Sequence, residues 1–392
     1  MSKKIINAYI LVSLTATLLM GLHAAIYVTF LMKSGLSLWQ VSLVNLFYML
    51  FVFLLEMPTG AVADLWGRKI SFVLSAIING IGFTVYALAG GFLSFVLAEI
   101  IIALGTTLTS GALKAWLVDS LRFYNWNGEL VKVFRLEGRA INIANLVGGL
   151  TGAYLGKDNL SLPFAVAAVG YWLLAVFSYV VMKEEYFQKK KGRQNIFLSI
   201  KGIARESIIY GFQNNIVFLI ITVTVIFTLS FQTMNMYWQP RYQPFLSGHE
   251  KLGYIWTGIV CFSLIGNELV KKLYSHLKTP TRSYFLIGLI AGISMVLAGA
   301  LVGFIPSLSF FFIHEIARGA QGPYSDSLLQ ENIPSDKRAT VDSFVSMTKT
   351  GAGAIGLFFG GWIAEQRGIG FAWIISGLVI LLFLPLILSR DK

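Results

Sequence analysis

Charged residues are scarce in this 392-residue sequence, and cysteine is nearly absent. Only 13% of its residues are Asp, Glu, Lys or Arg, whereas 56% are hydrophobic. Soluble globular domains carry about 25% charged residues because their surfaces face water. This composition therefore fits a protein whose solvent is lipid. Cys261 is the single cysteine, so the chain has no intrachain disulfide and no cysteine-based metal site.

Motifs for nucleotide-driven and covalent chemistry are also missing. The sequence has no G-x-x-x-x-G-K-[ST] phosphate loop and no G-x-S-x-G nucleophile elbow. Its four histidines are scattered and form no metal-binding pattern. We therefore expect a protein that is not an enzyme, that needs no cofactor or metal, and that does not use ATP.

The formal net charge of +12 has a membrane explanation. Membrane proteins collect Lys and Arg in their cytoplasmic loops. No basic patch interleaved with aromatic residues, as nucleic-acid binding would require, lies outside the loops. We therefore expect contact with membrane lipid and no binding of nucleic acid.

Long apolar segments are abundant and recur at nearly regular spacing. Each is long enough to cross a hydrocarbon core of about 30 Å, and helices are expected because backbone polar groups in lipid must bond within their own segment. The first segment is read as an uncleaved span rather than a signal peptide. The sequence predicts an all-α membrane protein with twelve transmembrane helices over residues 5–32, 38–64, 68–90, 92–121, 128–156, 161–183, 213–240, 250–274, 281–303, 307–331, 336–365 and 369–389.

The loops predict the orientation and the domains. With the N-terminus in the cytoplasm, most of the 31 Lys and Arg residues fall on the inner side. This places both termini in the cytoplasm of a multi-pass cell-membrane protein. A basic loop at 183–207 suits contact with anionic headgroups better than a regulatory site. We predict six-helix bundles at 1–183 and 213–392, with a cytoplasmic linker at 184–212.

The two halves resemble each other. The segment SGALKAWLVDS (110–120) corresponds to QGPYSDSLLQE (321–331), and NLVGGLTGAYLG (145–156) corresponds to GAIGLFFGGWIAEQRG (353–368). Gly60 has its counterpart in Gly266 at a similar offset. Repeats in corresponding positions of two halves are typical of secondary transporters. The pattern predicts two pseudo-symmetric bundles.

A tight charged turn, GAVADLWGRK (60–69), joins the second and third spans. Gly60 and Gly67 allow close helix approach and a sharp turn, and Arg68 and Lys69 anchor the cytoplasmic face. The pattern G-x-x-x-D-x-x-G-R-K, in a chain of twelve spans, resembles the signature loop of the major facilitator superfamily. The resemblance covers essentially the whole chain.

This resemblance implies two six-helix bundles around a central cavity and transport by alternating access. It implies that the loop is a cytoplasmic gate, in which Asp64 docks near the start of span eleven and Arg68 pairs with Asp119 in span four. In the second half Val270 stands where the Asp would be. Glu56, at the inner end of span two, is either an interfacial acid paired with a loop cation or part of this gate.

The resemblance to drug:proton antiporters within that family is partial. Span four carries Glu99 and lacks the Arg that such antiporters often have there, and the glycine-rich span five lacks their Pro.

Ionisable residues within the spans are the candidates for proton coupling. Each costs about 2.5–3.5 kcal/mol at the bilayer centre by insertion scales, so they should face protein or a wet cavity. These residues are His23, Glu99, Lys114, His314, Glu315, Arg318 and Lys349. A carboxyl group in an apolar cavity can bind and release protons near neutral pH. We therefore predict proton coupling at Glu99, Glu315 and His314; static pairing of Glu315 with Arg318, and a packing role for His314, remain open alternatives.

Polar residues at helical spacing are the candidates for substrate binding. One stripe runs from Glu99 through Thr106 and Ser110 to Lys114, and another from His314 through Arg318. In the family resembled, spans one, four, seven and ten line the cavity. The predicted substrate-binding residues are Tyr27, Thr106, Asn142, Asn145, Gln232, Asn235, Trp238, Arg318, Gln321 and Lys349.

The sequence leaves three functions open. The first is a proton-coupled exporter of amphipathic compounds such as drugs, acting as a monomer on a small-molecule substrate. The second is a symporter or facilitator for a small polar or anionic solute. The third is a receptor or scaffold without transport, which would leave the intramembrane charges without a task.

Overall fold

Every regular element in the described part of the chain is a helix. The computed structural model describes residues 1–187, 214–277, 279–333 and 338–388. Within these ranges there are fourteen α-helices, two short 3₁₀ helices (Gln243–Phe245 and His249–Lys251) and no strand. The α-helices are α1 Ser2–Gly21, α2 Tyr27–Lys33, α3 Leu38–Trp66, α4 Arg68–Leu88, α5 Phe92–Thr109, α6 Ala112–Phe123, α7 Leu130–Leu155, α8 Leu162–Val181, α9 Asn215–Tyr242, α10 Leu252–Leu277, α11 Pro280–Ala300, α12 Phe304–Asn332, α13 Arg338–Arg367 and α14 Ile369–Leu388.

Each of the twelve predicted spans coincides with one helix or with a pair of helices. Among the described residues, nine helical stretches are long and apolar enough to cross a membrane. The other three, α7, α12 and α13, have 26, 29 and 30 residues but are more polar. Most of the predicted linker at 184–212 lies outside the described residues, as does the side chain of Asp64.

The first predicted span is interrupted between α1 and α2. There the backbone turns tighten, with the amide of Ala24 donating to Gly21 O and that of Ile26 to His23 O, each at 3.0 Å. Helix α7 approaches the interruption so closely that a Cβ atom on Gly152 would lie 1.6 Å from the carbonyl oxygen of Leu22. The expectation of one continuous first helix is therefore wrong at residues 22–26.

The fourth predicted span is also interrupted. Gly111 adopts φ +73°, a left-handed conformation at the break between α5 and α6. The predicted stripe from Glu99 to Lys114 therefore holds only as far as the end of α5, and Lys114 is exposed on α6.

The described chain divides into two compact units. Unit 1 comprises Met1–Leu36, Phe47–Arg193 and Leu246–Thr257, and unit 2 comprises Ser37–Leu46, Gln194–Phe245 and Gly258–Lys392, as far as these ranges are described. Each unit consists of three chain segments, whereas each predicted bundle is one continuous segment, so the predicted domain boundaries remain a prediction.

The same helix pairing recurs inside each unit. In unit 1, α1 packs on α7, and α4 packs on α5 and α8; in unit 2, α9 packs on α13, and α11 packs on α12 and α14. Gly148 of α7 lies against Gly21 of α1, and Gly356 of α13 lies against Leu229 of α9. Both partners of the second contact lie 208 residues beyond those of the first, in agreement with the repeat expected from the sequence.

Candidate functional site

The buried carboxyl group of Glu99 lies where α2, α4 and α5 meet in unit 1. Its side chain is 5% exposed. The hydroxyl of Tyr27 donates to Oε1 at 2.5 Å, and the hydroxyl of Tyr86 donates to the same oxygen at 2.6 Å. Tyr27 is the first residue of α2, so the interruption of the first span places this donor at the carboxylate.

Aromatic rings surround the Glu99 carboxyl group. Phe30 packs on Phe95 and on Phe164, with ring centroids 5.5 and 4.6 Å apart, and Tyr86 stacks on Phe164 at 5.1 Å. The ring of His23 meets Tyr27 edge-on at 5.8 Å. These rings keep water away from the carboxyl group and hold the two hydroxyl donors in place.

Glu99 has no cationic partner within the described residues. Its hydrogen bonds there come from the neutral hydroxyls of Tyr27 and Tyr86. An ionised carboxylate buried without a countercharge is costly, whereas a protonated carboxyl is not. The site can therefore hold one proton and release it when the surroundings supply more donors.

The second predicted carboxylate is arranged differently. Glu315 in α12 is 1% exposed, and Arg318 contacts its Oε2 through Nη2 at 2.5 Å and Nε at 2.7 Å. Two guanidinium nitrogens thus contact one carboxylate oxygen, and each charge neutralises the other. Its geometry favours the static alternative over proton exchange.

His314 is fully buried beside this pair. Its Nε2 lies 3.8 Å from Oε1 of Glu315, and its ring meets Phe231 edge-on at 4.7 Å. Neither ring nitrogen makes a hydrogen bond within the described residues. The contacts are those of a packing residue, and its role in proton coupling remains a prediction.

A cavity of about 420 Å³ lies inside unit 1, between α1, α4, α5, α7 and α8. Two predicted substrate-binding residues, Thr106 and Asn145, line it. Its volume falls within the range of about 300–1,000 Å³ that is typical of ligand pockets. The lining residues are Ala16, Thr17, Met20, Phe72, Ser75, Ala76, Asn79, Thr106, Thr109, Ser110, Asn145 and Tyr171.

The cavity and the Glu99 site share helices α4 and α5. Thr106 lies seven residues beyond Glu99 on α5, which is about 10 Å along the axis and on the same face. Asn79 precedes Tyr86 by two turns of α4, whereas Met20 on α1 is separated from Tyr27 by the interruption at 22–26. A change at one site can therefore act on the other through rigid helices.

The remaining predicted substrate-binding residues are distributed over both units. Asn142 is half-buried on α7, one turn from Asn145. In unit 2, Trp238 is buried, Gln232 is half-buried, Asn235 and Lys349 are exposed, and the Gln321 amide donates to Ser325 at 3.1 Å. Their grouping into one site remains a prediction.

The charged turn between α3 and α4 has its expected shape at Gly67, where φ is +96°. The carboxylate of Glu184 accepts the amide of Arg68 at 2.7 Å and that of Lys69 at 3.0 Å. An acid at the start of a helix stabilises its unpaired amides. Pairing of Arg68 with Asp119 remains a prediction.

Gly60 does not make the close approach expected from the sequence. A Cβ atom added there would meet nothing within 4 Å, and its φ is not positive. Glu56, one turn earlier in α3, accepts the Ser110 hydroxyl at 3.2 Å.

Sequence reasoning missed two acids. Glu184 lies in the basic loop, where only the sum of charges was weighed. Glu137 in α7 is 5% exposed and accepts the Ser13 hydroxyl at 3.2 Å. It precedes Ala144 and Gly148 by seven and eleven residues, so helical periodicity with the glycine face of α7 would have revealed its burial.

Comparisons with known proteins agree on one family. The sequence profile of the Major Facilitator Superfamily matches residues 9–357. A relative from Bacillus subtilis (strain 168), the uncharacterized MFS-type transporter YxaM, is 25% identical over 379 residues, which cover 95% of this chain and 92% of the relative.

Two solved structures illustrate the likeness in fold. The nucleoside transporter NupG has a TM-score of 0.77 with 14% identity, covering 99% of both chains. An inward-facing bacterial homologue of the iron transporter ferroportin has a TM-score of 0.78 with 14% identity, again covering 99% of both chains. At this identity the structures show the fold alone, and together with the profile they confirm the predicted fold class.

Proposed function

The chain belongs to the major facilitator superfamily of multi-pass membrane transporters, and from this premise we propose that it exports amphipathic compounds in exchange for protons. The observation that carries the proposal is the carboxyl group of Glu99, buried without a cation and held by two tyrosine hydroxyls. A transporter can use such a carboxyl group to bind and release protons. Without that role, the buried group would only be energetically unfavourable.

Proton binding at Glu99 can be coupled to conformation through its two donors. The ionised form needs the hydroxyls of Tyr27 and Tyr86, whereas the protonated form needs neither. Tyr27 belongs to the short helix α2, beyond the interruption of the first span. A movement of α2 that withdraws Tyr27 leaves the ionised form with one donor fewer, and proton uptake then removes the buried charge.

We propose that the substrate binds in the cavity of unit 1. Apolar walls from Met20, Phe72 and Tyr171 alternate there with hydroxyl and amide groups, which suits amphipathic compounds. The other residues predicted to bind substrate extend this proposal to α9, α12 and α13.

The proposed gate is the charged turn, with Gly60, Asp64, Gly67, Arg68, Lys69 and Asp119. The contact of Glu184 with the first amides of α4 supports a structural role for this turn. The proposed location is the cell membrane, with both termini in the cytoplasm, and the proposed active form is a monomer.

A second candidate function is symport or facilitated diffusion of a small polar solute. The hydroxyl and amide groups in the cavity wall favour it. An anionic solute has less support, because Arg318 is already paired with Glu315. The direction of proton movement on adding solute separates this candidate from export.

The test uses proteoliposomes that contain the full chain and an internal pH-sensitive dye. A panel of amphipathic fluorescent compounds is added, and both compound movement and proton flux are recorded. Glu99→Gln should lose accumulation driven by a pH gradient yet retain equilibrium exchange of the compound, since exchange moves no net proton. Glu129→Gln is the control, because the Glu129 side chain is 66% exposed and its one ion pair among the described residues is with Lys132 at 2.9 Å.

Full pH-driven accumulation by Glu99→Gln would contradict proton coupling at this residue. If adding the compound moves protons in the same direction as the compound, the chain is a symporter and the proposal of export by exchange is wrong. Failure of every compound to move under any gradient would support a receptor or scaffold.

A further inference from the structure

Among the described residues that line the unit 1 cavity, none carries an ionised side chain. Its polar members are hydroxyls and amides, and several already bond to neighbours. The Thr17 hydroxyl donates to Ser13 O at 2.9 Å, and the hydroxyls of Ser75 and Thr109 bond to each other. Among described contacts, the charge that reaches this wall is Glu56, through the hydroxyl of Ser110.

One residue of the wall, Asn145, has its backbone held in place and its carboxamide left without a partner among the described residues. The indole of Trp256 donates to the backbone carbonyl of Asn145 at 3.0 Å. The Asn145 side chain is half-buried and makes no hydrogen bond within the described residues. It therefore offers two N–H donors and one carbonyl acceptor to an occupant of the cavity.

One further polar atom beside the cavity lacks a partner. It is Oδ1 of Asn79, which has no hydrogen bond in the part of the chain that the structure describes. Asn79 uses one of its two N–H groups to donate to Ser75 Oγ at 3.3 Å, so its acceptor and its second N–H are left over. An unpaired buried acceptor favours an occupant that brings a hydrogen-bond donor.

Two rigid aromatic rings, Phe72 and Tyr171, form part of the apolar wall. Tyr171 stacks on Phe83 with centroids 5.5 Å apart and an interplanar angle of 10°, and its hydroxyl donates to Ala16 O at 3.2 Å. Phe72 is 2% exposed and equally fixed. Such walls accept a flat apolar body without a large loss of side-chain entropy.

We propose that this cavity is the substrate site and that it selects uncharged compounds with a flat apolar body and one amide-like or hydroxyl group for Asn145. A buried ionic group of either sign would lack a countercharge in the wall, and an anion would also be repelled by Glu56, which bonds to Ser110. The inference rests on the proposed transport function and narrows its substrate class. It also makes proton exchange electrogenic, because an uncharged substrate leaves the proton charge uncompensated.

The test compares three compounds with one ring system and different charge. They are naphthamide, which is uncharged, naphthamidine, a cation, and naphthoate, an anion. Binding to the purified full chain is measured by isothermal titration calorimetry and saturation-transfer NMR. Naphthamide should bind at least tenfold more tightly than either ion.

Variants of Asn145 locate the binding. Asn145→Ala should weaken naphthamide binding at least fivefold. Asn145→Asp keeps the shape but adds a negative charge, and should shift the preference toward naphthamidine. Asn159→Ala is the control, because Asn159 is exposed and, among the described residues, its side chain bonds only to Ser161. Thermal melting of each variant reports whether it folds.

Equal binding of all three compounds, binding of none, or no effect of either Asn145 variant would overturn the inference. If Glu99→Gln abolishes pH-driven transport but the protein binds naphthamide no more tightly than the two ions, only the proposed substrate site is contradicted. If naphthamide binds as expected while Glu99→Gln keeps full coupling, the proton-coupled function fails and the site stands.

Discussion

Two glycines of the charged turn, Gly60 and Gly67, should respond in opposite ways to substitution by alanine. Gly67 has φ +96° and ψ 157°, a region that is almost exclusive to glycine. Occupying it with alanine costs about 1–3 kcal/mol. Gly60 lies within helix α3 without positive φ, where alanine is favoured by about 0.5–1 kcal/mol.

The surroundings increase this difference. A Cβ atom on Gly67 would lie 2.5 Å from Oε2 of Glu184, so that carboxylate must move away from the amides of Arg68 and Lys69. Hydrogen bonds to charged groups contribute about 1.5–3 kcal/mol, and partial exposure to water places this contact at the lower end. Gly67→Ala should therefore lower stability by about 2–4 kcal/mol.

The assay is unfolding of the full chain by sodium dodecyl sulphate in mixed micelles, followed by tryptophan fluorescence. Gly60→Ala should unfold at the same or a higher detergent fraction than the parent chain, and Gly67→Ala at a clearly lower one. A second pair, Glu184→Ala with and without Gly67→Ala, checks the cause, because the glycine effect should shrink once the carboxylate is gone. Equal losses for Gly60→Ala and Gly67→Ala would refute the reasoning.

Three further predictions concern packing, proton exchange and charge movement. Gly152→Ala should destabilise the chain strongly because its Cβ would lie 1.6 Å from the carbonyl oxygen of Leu22, whereas Gly351→Ala should be tolerated because nothing lies within 4 Å; SDS unfolding compares the two. Tyr86→Phe removes one of the two donors to Glu99 and should slow pH-driven transport at least threefold without affecting exchange; equal slowing of both in flux assays would point to a general packing defect. Transport of an uncharged compound should generate a current across a planar membrane, and an electroneutral record would contradict its exchange for a proton.

Apolar run length and turn chemistry made the helices predictable. Each predicted span was recovered because lipid leaves the backbone no alternative to internal hydrogen bonds. The repeat between the halves is also visible in helix contacts, because Gly148 and Gly356 make close contacts at corresponding positions. Local rules were enough for these features, since each depends on a short segment.

The interruptions and the site depended on tertiary contacts. Residues 22–26 contain no proline or glycine, and the break becomes intelligible only once Gly152 is seen against Leu22. Helical spacing already offered Arg318 as a partner for Glu315, and the structure contains that pair. The partners of Glu99 are Tyr27 and Tyr86, on other helices, and such distant partners cannot be read from helical spacing.

The central claim is that the Glu99 carboxyl group carries the transported proton. Its most direct test measures proton release from the purified full chain in weakly buffered solution. A pH dye records the release when an amphipathic compound that the chain binds is added. The parent chain and Glu315→Gln should release up to one proton per molecule, and Glu99→Gln should release none. Undiminished release from Glu99→Gln, or its loss in Glu315→Gln alone, would contradict the account.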